Sequence, residues 1–173
     1  NKEAARKQIA SYNYTVDYFK KQYHYEFGEG KCPKLKQEVE ELLLFVGSVS
    51  ALQAINNDIA SGRLLNVDMG IFPKVAHAMD CLDNQKWWGF PQSIRAALAV
   101  ILPESPAIEE AGWQALQDNA AIGLQQGMRT GYASYAVVAN IKGRDDHLRQ
   151  ALKGFESVPS DKINKNYLLL DTI

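Results

Sequence analysis

The chain has 173 residues, 46% of them hydrophobic and 23% charged, and its 19 Lys+Arg against 20 Asp+Glu leave a formal net charge of −1. A polypeptide of this size buries about 70% of its unfolded surface, enough for a core that needs neither a metal nor a dense disulfide framework, and its near-neutral charge excludes a broad electrostatic footprint for nucleic acid or anionic lipid. The longest apolar runs, 42–46 and 96–102, fall far short of the roughly 20 residues a spanning helix needs, so no transmembrane segment is expected.

The sequence opens at Asn1 without an initiator Met or a basic-then-apolar leader, which reads as a mature chain downstream of a removed segment. Ile9, Tyr12, Val16, Phe19 and Tyr23 then recur at three- and four-residue steps, with Lys7, Lys20 and Lys21 on other faces. This spacing predicts an amphipathic helix over 2–27. The stretch Gly28-Glu29-Gly30-Lys31-Cys32-Pro33 stops it, and Pro33 suits the turn before a second helix over 34–60. Leu35, Val39, Leu42, Leu43, Val46, Val49, Leu52, Ala54 and Ile55 form that helix's apolar face, Gly62 ends it, and Asn56-Asn57-Asp58 read as solvated.

Asp68 is placed to cap a helix over 69–82 that presents Ile71, Phe72, Val75, Met79 and Leu82. After Gly89, a helix over 91–102 carries Ile94, Leu98 and Ile101 inward. Leu102-Pro103-Glu104-Ser105-Pro106 is a stop followed at once by a restart, with Ser105 as cap and Pro106 in the first turn of a helix over 106–126. Gly127 or Gly131 bends the path into a helix over 132–141, Gly143 turns it into another over 145–156, and Pro159 leads to a short terminal element at 162–170. No segment shows the sustained alternation a sheet would need. The expectation is an all-α fold of six or seven antiparallel helices stacked as hairpins in a single domain over 1–173, with no linker long enough to divide it.

Around Gly143, Tyr132, Tyr135, Ala136 and Ala139 in one helix and Leu148, Leu152 and Phe155 in the next occupy interleaved packing positions, with Pro159 closing the pair. This segment resembles a tetratricopeptide repeat. A fainter copy ends at Pro103, with Ala78, Met79 and Leu82 in its first helix and Leu98 in its second, although Pro91 opens that second helix where a small residue is usual. The two closing prolines, 103 and 159, lie 56 residues apart, against a repeat length of about 34. The resemblance implies helical hairpins that bind a peptide or protein partner in a concave groove, in exported members often as part of a transport or envelope assembly.

Motifs for catalysis are missing. His24, His77 and His147 have no partner at metal-ligand spacing, no Glu-x-x-His pair occurs, and the chain lacks nucleophile-elbow, phosphate-loop and dinucleotide glycine patterns. No catalytic residue, metal ligand or cofactor is therefore assigned. His77, with Val75 and Met79 nearby, reads as a core or boundary histidine, and Asp145-Asp146 as first-turn carboxylates meeting the helix dipole. Cys32 and Cys81 are too far apart for a CxxC motif. They are either bridged, which implies a periplasmic or otherwise exported protein, or two unrelated thiols, which implies a cytoplasmic one.

Aromatic placement is the remaining signal. The first helix carries more rings than one face can hold, and Trp87-Trp88-Gly89-Phe90-Pro91 lies between helices. Tyr14, Tyr18, Tyr25, Trp87, Trp88 and Phe90 are the candidate binding residues, because rigid rings with polar tips give large contact area at low entropy cost. Two functions fit: a non-catalytic adaptor for a protein or peptide partner, or a bundle that holds a small apolar ligand in a pocket beside Trp87 to Phe90.

Overall fold

A computed structural model describes residues 1–171, and every regular element among them is helical. The chain forms two compact units that divide after Leu82, and each is described by itself.

In the first unit, α1 (Lys2–Tyr23) and α2 (Glu38–Ala60) pack antiparallel. At one end the Gln8 side chain donates to Gln53 at 3.0 Å and accepts from Asn57 at 3.0 Å. At the other, the Tyr18 hydroxyl donates to Glu40 at 3.0 Å. Ala5, Tyr12 and Phe19 of α1 and Leu44, Phe45, Ala51 and Ala54 of α2 are buried. Thr15 is buried against Gly47, where a Cβ would collide with the threonine side chain, so this crossing requires glycine.

α1 stops earlier than its hydrophobic repeat. His24 adopts φ 50°, its N–H bonds Lys20 O, and Tyr25 N–H bonds Phe19 O, the left-handed closure that ends many helices. The chain then folds back, setting Phe27 edge-on to Tyr12 at 5.3 Å between centroids and Tyr25 near Phe19 at 6.5 Å. α2 starts later than expected, because the Glu40 carboxylate reaches back to the N–H groups of Lys36 at 2.8 Å and Gln37 at 3.1 Å. This is the return half of a capping box. Val39, assigned to the apolar face, lies exposed in that first turn.

α2 is long and apolar enough to cross a membrane by length and composition only, a property that the core helix of a soluble protein shares, although its uninterrupted apolar runs are short. A helix accumulates hydropathy across scattered polar positions that break a run. Half of its most apolar window is buried inside the fold. α3 (Ile71–Met79) packs on α2 and buries Phe72, Val75, Ala76 and Met79.

The second unit contains α4 (Phe90–Ile101), α5 (Pro106–Gln125), α6 (Thr130–Ile141) and α7 (Asp145–Glu156), followed by 3-10 turns at Ser160–Lys162 and Lys165–Tyr167 and a short α8 (Leu168–Asp171). α4, α5 and α6 pack on one another, and α7 packs on α6. Their starts follow the sequence signals closely: Ser105 Oγ accepts the Ile108 N–H at 3.3 Å, with Pro106 in the first turn. α4 is entered through two successive left-handed residues, Trp88 at φ 57° and Gly89 at φ 77°. A Cβ on Gly89 would strike the Asn119 carbonyl, so only glycine fits there. In the α6–α7 hairpin Tyr132, Tyr135 and Ala139 are buried, but Ala151 takes the inward place expected of Leu152, which is exposed.

Candidate functional site

The six candidate aromatic residues are not brought to one surface. Tyr14 stands free on α1, 77% exposed. Tyr18 is half-buried and engaged by Glu40, and Tyr25 is buried under the loop that follows α1. Trp87, Trp88 and Phe90 are all buried in the second unit. The Tyr167 ring lies 4.6 Å from that of Trp88 and 6.3 Å from that of Trp87. The tryptophan pair is therefore closed over by the chain's own C-terminal segment.

Three polar centres were not visible as such in the sequence. Asp58, read as solvated, is completely buried. Its carboxylate accepts the N–H groups of Leu65 and Val67, both at 2.8 Å, and Arg63 approaches at 3.8 Å. The signal was present: Ala51, Ala54, Ile55 and Asp58 continue one stripe of the helix. A carboxylate ending such a stripe organises the loop beyond it, because buried backbone N–H groups must find acceptors.

Glu40 gathers donors from two elements. The Tyr23 hydroxyl first, then the Lys36 N–H, Tyr18 hydroxyl and Gln37 N–H, favour its charged form and lower its pKa from 4.5 to about 2.

The third centre lies where α5, α6 and α7 meet. The Tyr135 hydroxyl is 2.6 Å from His147 Nδ1 and donates to Gln150 Oε1 at 3.1 Å. The hydroxyl has one proton for these two bonds, so its role towards His147 follows the imidazole tautomer. The imidazole stacks on Trp113 with centroids 4.1 Å apart, and the Arg144 guanidinium lies 5.6 Å from the same indole. Arg144 also grips Asp146 with two bonds of 3.1 and 2.9 Å, holding that carboxyl well below the usual range. Burial pushes the Tyr135 phenol up to about 12. Tyr135 and Trp113 are buried while His147 is half-buried, and the network ties α7 to α5 and α6.

Two features at the surface bear on function. In the first unit Cys32 and Cys81 form a disulfide, with Cα atoms 5.3 Å apart, that fastens the Gly-rich loop to the turn after α3. A recess of about 300 Å³ beside it is lined by Tyr25, Gly28, Gly30, His77 and Asp80. His77, expected in the core or at its boundary, is exposed on the outer face of α3. In the second unit, Val137 and Ile141 lie four residues apart on α6, hence on one face, and are 47% and 53% exposed. Lys142 pairs with Glu109 at 3.0 Å. That ion pair brings the α6 end beside the start of α5, where Ile108 is also exposed. Among the described residues no group of three His, Cys, Asp or Glu side chains is placed to hold a metal ion. No family model matches the chain, and no curated protein or solved structure matches it.

Proposed function

We propose that the chain is a non-catalytic helical-hairpin binding protein that docks a protein or peptide partner on the exposed apolar strip of α6. The observation that carries this reading is the Val137–Ile141 pair. Two large aliphatic side chains, adjacent on one helix face and both about half exposed, lose water together when a partner covers them. Contiguous exposed apolar surface of this kind marks interaction sites in folded proteins. The likeness of the 132–159 hairpin to a tetratricopeptide repeat supports the same class of function. The Cys32–Cys81 bridge supports an exported location, since disulfides persist in oxidising compartments.

The test is co-purification from the native extract, comparing the unaltered protein with a Val137→Asp, Ile141→Asp double variant. A stoichiometric partner held by the first and lost by the second, with the unfolding midpoint unchanged, is the expected outcome. A partner retained by the double variant, or recovery of the unaltered protein alone across salt conditions, overturns the reading.

A further inference from the structure

Independently of the α6 strip, we propose that the Cys32–Cys81 disulfide is a thiol–disulfide exchange site, in which an incoming thiolate attacks Cys32 and Cys81 is the sulfur that leaves. The two cysteines differ in exposure. Cys32 is exposed on the Gly28–Pro33 loop, whereas Cys81 is half-buried in the turn after α3. Attack requires in-line approach to a sulfur, so this exposure selects Cys32. A recess lined by both cysteines, with Gly28 and Gly30 adding no side chains, lies beside the bond and leaves room for a small thiolate.

The sulfurs also differ in what stabilises them. The Tyr25 hydroxyl lies 3.7 Å from Cys81 Sγ and accepts the Gly28 N–H at 3.0 Å. A disulfide sulfur carries no proton, so the contact has only one polarity: Tyr25 donates and Cys81 accepts. The better leaving thiol is the one whose thiolate is stabilised, and this O–H is in place before the bond opens. Burial raises the Tyr25 pKa, so the hydroxyl keeps its proton at neutral pH.

The step balances with a thiolate reductant. Its sulfur forms a bond to Cys32 Sγ, the Cys32–Cys81 bond breaks, and the electron pair passes to Cys81 Sγ, which then takes a proton from solvent. The product is a mixed disulfide at Cys32 and a thiol at Cys81. A second thiolate, attacking the external sulfur of the mixed disulfide, releases Cys32. Two external thiols are thereby oxidised to a disulfide while the protein's own disulfide is reduced by two electrons. The loop between α1 and α2 loses its covalent tie to the turn after α3.

The test treats the native, unreduced protein briefly with β-mercaptoethanol, quenches with acid, alkylates free thiols and locates both modifications by peptide mass spectrometry. The mercaptoethanol adduct is expected on Cys32 and the alkyl label on Cys81. Tyr25→Phe, which removes only the hydroxyl, should slow the first step several-fold and leave the position of attack unchanged. Adduct on Cys81, or on both sulfurs equally, overturns the assignment. A bond that opens only under conditions that unfold the unmodified protein overturns exchange in the native state, whatever the behaviour of the Tyr25 variant.

Discussion

In the first unit the helices are joined by long connections, residues 24–37 and 61–70, and each is held by groups outside the apolar seams: the disulfide and Glu40 for one, Asp58 for the other. In the second unit the connections at 102–105, 126–129 and 142–144 are short, and order comes from caps, left-handed turns and rings packed between helices. The contrast follows from what a long connection costs. Its backbone loses conformational freedom and brings N–H and C=O groups that need partners, while contributing little apolar burial of its own. A covalent bond and two carboxylates meet those demands in the first unit. The second unit hardly raises them.

Substitutions that remove the fasteners should break this contrast, and the disulfide should have the largest effect. Closing 49 residues of sequence separation restricts the unfolded chain by about 4 kcal/mol on the chain-entropy account. Cys32→Ser with Cys81→Ser should show a loss of that order in denaturant unfolding, with hydrogen exchange rising first in residues 24–37. Asp58→Ala comes next, because it leaves two N–H groups without their acceptor. About 3 kcal/mol is expected, with lost exchange protection at the amides of Leu65 and Val67.

Tyr135→Phe probes the second unit's fastening. Removing a hydroxyl shared by His147 and Gln150 should cost about 1.5 kcal/mol, visible as a lower thermal midpoint and a shifted His147 ring resonance. The last effect is a change of slope. Glu40 titrates lower in the folded protein than in the unfolded chain, so its contribution is complete above about 4.5 and is lost as pH falls through about 2. Glu40→Gln should flatten the acid limb of the stability curve in that window, and an unchanged limb would show that other carboxylates govern it.

The contrast also explains what could be read in advance. Helix limits in the second unit were legible because proline, serine and glycine mark them locally: the expected 145–156 is α7, and the expected 106–126 differs from α5 by one residue. In the first unit the limits moved by several residues. His24 takes a left-handed conformation with no glycine to announce it, and Glu40 acts backwards on Lys36 and Gln37. Binding residues were least legible. Rings were sought on the surface, yet Trp87, Trp88 and Phe90 are better served by burial, and Tyr167, distant in sequence, closes over the tryptophans. The exposed pair Val137 and Ile141 carries no mark of its own in the sequence, because periodicity identifies a stripe without saying whether anything covers it.

The burial of the indoles has an optical consequence. Residues 87, 88 and 113 are the only tryptophans, and all lie in the second unit, while five of the eight tyrosines lie in the first. Red-edge excitation therefore observes the second unit alone, and light that also excites phenols adds a signal weighted towards the first. The protein thus carries its own two-colour label, and the disulfide can be opened, or Asp58 replaced, while each half of the chain is followed without attaching a dye.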